Sequence, residues 1–128
     1  MLNTGIKNTM ERKVTEELTA RKIGSGELDV FATPALIALA EETAWRSVAN
    51  ELEDGQGTVG TRMDLSHIAA TPVGMTARCE TELTEIDRRK LTFHIEVFDD
   101  AEKIAEGTHE RFIVDNDKFQ SKADQKTD

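Results

Sequence analysis

Glu41 is a carboxylate placed where an apolar side chain is expected. Residues 33–52, TPALIALAEETAWRSVANEL, carry apolar groups at helical spacing. At about 100° per residue, Ile37, Ala38, Ala44, Trp45, Val48 and Leu52 fall on one continuous arc. Glu41 falls inside that arc, whereas Glu42 lies at its flank near Arg46, an ordinary i, i+4 surface pair. A carboxylate in an apolar stripe must reach the rim or find a partner, because burial disfavours its charge. His67 raises the matching question on a strand. From Val59 to His67, alternate positions hold Val, Thr, Met, Leu and His, and period 2 puts all five on one face. An imidazole there is either a core histidine satisfied by backbone groups or half of a site. A glutamate and a histidine that each need a partner are the pair used in general acid–base and nucleophilic chemistry. Together they favour a site.

Other residues carry weaker signals. Thr33 precedes Pro34 at the start of the helical pattern and suits an N-cap. Gly60 interrupts a strand, as a close approach of ligand or backbone requires. His109 and Arg111 share a face of the last strand, read as a solvated face. Cys79 alternates with Met75, Ala77 and Leu83 and belongs to the core. No Cys/His spacing suggests a metal site, and no glycine-rich phosphate motif is present. Eight residues separate Thr33 from Glu41, about 12 Å of helical rise. A direct hydrogen bond between them within one chain is therefore not expected.

The elements that must position these groups follow from the pattern. The 33–52 helix is long for a 128-residue chain and reads as the central organiser, stopped by Glu53-Asp54-Gly55-Gln56-Gly57. Four strands are expected at 58–69, 73–86, 90–98 and 103–114. The turns between them, Thr71 to Gly74, Asp87 to Arg89 and Asp99 to Glu102, are too short for anything but antiparallel neighbours. Residues 1–29 are ambiguous: Met10, Val14 and Leu18 recur at helical spacing, yet MERKVTEEL also fits a charged edge strand. Residues 115–128 read as a polar tail that only Phe119 could dock. The whole is one α+β domain over 1–128, one long helix against an antiparallel sheet.

Composition narrows the function. The net charge of −9 argues against nonspecific nucleic-acid binding, although Arg88, Arg89 and Lys90 form a local basic cluster. No apolar run is long enough to span a membrane, and no secretory leader is visible. A single cysteine fits a reducing compartment, so the expected location is cytoplasmic.

Three blocks, VFATPALIALAEETAW, GTVGTRMDLSHIAATPVGM and EGTHERFIV, resemble the hotdog-fold thioesterase-like family. Within it they are most similar to the fluoroacetyl-CoA thioesterases and their uncharacterised bacterial relatives. The resemblance runs from about Val30 to Lys126. It implies a hotdog fold, in which the sheet wraps the helix, and a homodimer joined edge to edge with active sites at the interface. Whether dimers pair into tetramers stays open. It implies hydrolysis of an acyl-CoA thioester by Thr33, Glu41 and His67, with Gly60 and Arg111 as substrate contacts and no cofactor beyond the coenzyme A of the substrate. Glu41 would serve as nucleophile or general base. One departure is visible: the segment before Phe31, KIGSGELDV, is shorter than in the fluoroacetyl-specific enzyme and lacks its lid phenylalanines. A small or medium acyl group other than fluoroacetyl is therefore expected. The competing readings are a binder of acyl thioesters without turnover, and a hydratase or dehydratase on the same fold.

Overall fold

The computed structural model describes residues 1–127. Five strands form one antiparallel sheet: β1 (Lys7–Lys13), β2 (Gln56–His67), β3 (Thr76–Asp87), β4 (Lys90–Phe98) and β5 (Lys103–Asp115), in the order β1-β3-β4-β5-β2. Helix α2 (Thr33–Ala49) packs across one face, after the four-residue helix α1 (Ala20–Ile23). The ambiguous N-terminal segment resolves as an edge strand. β1 pairs with β3, and its alternating exposure is that of a half-covered strand. The C-terminal segment departs from the expected loose tail. Residues 116–124 form helix α3, capped by the Asp115 carboxylate accepting from Lys118 N–H, and Phe119 stays exposed.

The core lies between α2 and the inner face of the sheet. Period 2 brings Leu83, Leu91, Phe93, Ile95 and Val97 to that face, all fully buried. On α2 the buried face is Ala35, Leu36, Leu39, Ala40, Thr43, Ala44 and Val48. This corrects the arc inferred from sequence. Ala44 and Val48 are buried, but Ala38 and Trp45 are exposed and Ile37 and Leu52 only partly covered. The chain carries two overlapping apolar stripes on this helix. The one rich in alanine lies against the sheet because small side chains let helix and strands approach closely. Glu41 therefore stands at the edge of the packed face. Glu42 pairs with Arg46 as expected and also with Arg12 of β1, both at 2.8 Å, which ties the helix to the sheet edge.

The alternation expected along β2 fails in its first half. Gly60 pairs with Arg111 but Arg62 pairs with Glu110, so Thr61 is an extra, bulged residue. Met63, Leu65 and His67 do share the inner face, with cross-strand partners His109, Gly107 and Ala105. Before the bulge the inward residues are Thr58 and Gly60, not Val59 and Thr61. A second close approach lies at Gly107. A Cβ there would meet the Asp64 carbonyl oxygen and come within 2.8 Å of Leu65 Cα. Because those obstacles are backbone, Gly107→Ala should lower unfolding free energy by about 2–3 kcal/mol. Urea denaturation tests this, and a loss below about 0.5 kcal/mol would show that the strand pair can yield.

Candidate active site

Two polar clusters face the helix side of the sheet, one toward each end of β2. The first joins Thr33 and His67. Thr33 is not the N-cap: it is the first helical residue, Ala32 holds the cap position, and no side chain caps the helix. The Thr33 hydroxyl is thereby free, and it lies 2.8 Å from His67 Nδ1. The other ring nitrogen, Nε2, is buried without a protein partner. Burial holds the imidazole below its ordinary pKa of 6.5. Both residues line a cleft of ≈ 320 Å³ with Ala20, Ser25, Val30, Phe31 and Ala69 among its walls. One wall is the segment from Thr19 to Ala32, which includes α1. It is anchored by buried Phe31, by Ala20 N–H donating to Val30 O and by Phe31 N–H donating to Thr71 O.

The second cluster is built on Arg111. Its side chain is 6 % exposed and pairs with Glu41, whose side chain is 43 % exposed, at 3.1 Å. Arg111 Nη1 donates to Glu41 Oε2 and to His109 Nε2, Nε donates to the Thr58 hydroxyl, and Nη2 donates to the Thr58 carbonyl. Four bonds leave one guanidinium hydrogen uncommitted. His109 is 1 % exposed, and its Nδ1–H donates to Arg62 O at 2.7 Å. The expectation that His109 and Arg111 form a solvated face is thus wrong. Both point inward, in line with Ala105, Gly107 and Ile113 on the same alternation, a signal that was present in the sequence. Gly60 owes its identity to this cluster. A Cβ there would collide with Glu41 Oε2 and stand 3.2 Å from Arg111 Nη1. The close approach expected at Gly60 is made by the Glu41 carboxylate.

Of the five singled-out residues, the fold brings Thr33 to His67, and Glu41 to Gly60 and Arg111. Within one chain it does not bring Glu41 to His67. Thr33 and Glu41 share no hydrogen bond, consistent with their helical separation. Thr58 and His109 belong to the site and were missed. Among the described residues no His, Cys, Asp and Glu cluster is arranged to hold a metal ion. Cys79, fully buried beside Val97 and Met10, has its thiol pushed up to about 11 by burial. It is inert core.

Residues 14–117 match the family model described as fluoroacetyl-CoA-specific thioesterase. The fluoroacetyl-CoA thioesterase of Streptantibioticus cattleyicolor is 38% identical over 99 residues, 77% of this chain and 71% of that protein. The solved structure of the fluoroacetyl-CoA thioesterase FlK superposes with a TM-score of 0.93 at 32% identity, covering 100% of this chain and 99% of that one. A hot-dog-like protein from Thermanaerovibrio acidaminovorans matches at 0.88 and 18% identity, over 98% and 93% of the two chains, a likeness of fold.

Burial lowers the pKa of both His67 and His109 from 6.5. In the window below 6.5 the unfolded chain then binds more protons than the folded one, so stability rises with pH there. The contribution is complete above about pH 7 and lost as pH falls through the folded values. Thermal melts should decline between about pH 7 and pH 5, and NMR titration should find both imidazoles titrating below 6.5. A melting temperature flat across that range would refute the assignment.

Proposed function

The chain belongs to the fluoroacetyl-CoA-specific thioesterase family and is a thioester hydrolase, and we propose that it cleaves small to medium acyl-CoA esters at a site shared by two protomers. The observation that carries the shared site is the separation of the two clusters. Gly60, beneath Glu41, and His67 are seven residues apart on β2, about 20 Å of extended strand. β2 is also an edge of the sheet, with a free row of backbone donors and acceptors. Two β2 strands paired antiparallel about a two-fold axis at Asp64 would set His67 opposite the partner's bulge, at Gly60 and Thr61. Glu41 would then face the partner's Thr33 and His67, twice per dimer. The exposed Ala38 and Trp45 flank Glu41 on α2, where a partner would cover them.

In this reading the Glu41 carboxylate attacks the thioester carbonyl, directly or through a water it deprotonates. Backbone N–H groups near Gly60 stabilise the oxyanion. In the direct route the C–O bond to Glu41 forms as the C–S bond breaks, and a water then hydrolyses the mixed anhydride. In the other route the C–O bond forms from the water itself. In both, that water supplies the proton that His67, oriented at Nδ1 by Thr33, relays to the leaving thiolate. Arg111 holds Glu41 in place. Coenzyme A enters only as part of the substrate. With its single cysteine buried, the chain suits a reducing compartment such as the cytoplasm.

The acyl group is read from the cleft beside His67. Its walls include Ala20, Ser25, Ala69 and Ala70, small side chains where a lid would otherwise stand, and the segment from Lys22 to Val30 carries no phenylalanine. That leaves room for a longer chain than fluoroacetyl. A series of straight-chain acyl-CoAs assayed for free thiol should show kcat/KM rising beyond acetyl, and Ser25→Phe should shift the preference back toward it. A wild-type optimum at fluoroacetyl-CoA would overturn this specificity.

Glu41→Gln and His67→Ala should each abolish most thiol release while remaining folded. Mixed and allowed to exchange subunits, the two inactive variants should recover activity, up to about a quarter of wild type, because half the dimers hold one intact site. A monomer by light scattering, or no recovery despite proven exchange, would sink the shared-site reading.

A further inference from the structure

We propose that His109 is a positioning residue for Glu41, acting through Arg111 and through the β2 bulge. The inference rests on the reading that Glu41 performs the chemistry. His109 does not touch the space where substrate would bind: its side chain is fully enclosed, packed 6.3 Å centre to centre from the Phe93 ring. Its two nitrogens are committed in opposite senses. Arg62 O can only accept, so Nδ1 carries the hydrogen; Arg111 Nη1 can only donate, so Nε2 is the bare acceptor. One neutral tautomer satisfies both. A protonated ring would set an N–H against the guanidinium.

Each bond controls one side of the Glu41 carboxylate. Arg111 Nη1 carries two hydrogens, one to His109 Nε2 and one to Glu41 Oε2. Holding the first in place fixes the direction of the second. The other bond grips the carbonyl of Arg62, next to the bulged Thr61, where β2 slips by one residue against β5. That slip turns Gly60 inward beneath Glu41. One imidazole therefore fixes both the cation that holds the carboxylate and the backbone on which it rests. The groups facing His109 are Arg111 and Phe93, with Glu41 and Glu110 as the nearby carboxylates.

Two near-isosteric variants separate the bonds. His109→Gln can still offer an oxygen to Arg111, whereas His109→Asn keeps a short amide that can donate to Arg62 O but stops short of Arg111. The measurements are kcat and KM for butyryl-CoA hydrolysis, with thermal melts as the check on folding. His109→Asn should lower kcat by about 10- to 100-fold, the range a charge-assisted hydrogen bond is worth, with KM nearly unchanged. His109→Gln should restore most of that loss. In a Glu41→Gln background, His109→Asn should cost nothing further, since both act through the same carboxylate. Wild-type kcat in His109→Asn, or equal losses in both variants that track their melting temperatures, would overturn the proposal and leave the role of Glu41 intact. Full activity in Glu41→Gln alone would overturn the proposal and the catalytic reading together.

Discussion

The buried guanidinium of Arg111 is the constraint around which the site is built. A cation taken out of water must have its donors matched, and the protein supplies Thr58 twice, His109 and Glu41. Three of those four contacts come from the sheet itself, so the guanidinium is held rigidly on β5. The fourth comes from α2, from a carboxylate whose side chain is 43 % exposed. Helix and sheet are thus joined at this point by a charge pair that presents one carboxylate outward. Desolvation lowers the Arg111 pKa from its ordinary value, with Glu41 opposing that shift, yet a guanidinium remains protonated throughout the working range. The cation is permanent, and so is the anchorage of Glu41.

From that anchor the other features follow. The carboxylate occupies the space above Gly60, which excludes any side chain there. The bulge at Thr61 reverses the facing of β2, so Thr58 and Gly60 serve the Arg111 cluster while Met63, Leu65 and His67 continue the inner face. Without the bulge, one strand could not present both sets of residues to the same side. The consequence is a strand whose two polar clusters lie far apart, with a free edge beside them. A partner strand at that edge would bring together what a single chain keeps apart.

The long helix, the strand–turn–strand succession and the inner face of β4 were legible in the sequence. Each depends on local periodicity over a run with clear caps or turns. The third strand of the meander matched at both ends, residues 90–98. Glu41 and His67 were legible as anomalies, polar groups on apolar stripes. Their partners were not. The sequence offers Glu41 and His67 only each other as partners, whereas the fold gives Glu41 to Arg111 and His67 to Thr33. Pairing across elements depends on register, and the one-residue slip at Thr61 leaves no compositional trace beyond a glycine nearby. By pattern alone His109 and Arg111 read as a solvated face, because charged and polar residues at alternate strand positions usually face water. Period 2 alone leaves open which of two faces is inner when both carry polar groups.

By itself the sequence determined the class of fold, the order of its elements and the presence of chemically capable side chains, because these rest on short-range periodicity, turn chemistry and residue type. The tertiary structure decided which apolar stripe of α2 meets the sheet, where β2 slips, and that Thr33 leaves its capping role to bond His67. It also decided that Arg111 and His109 lie inside. All of these turn on contacts between segments distant in the chain, where packing volume and the need to match buried hydrogen-bonding groups override local pattern.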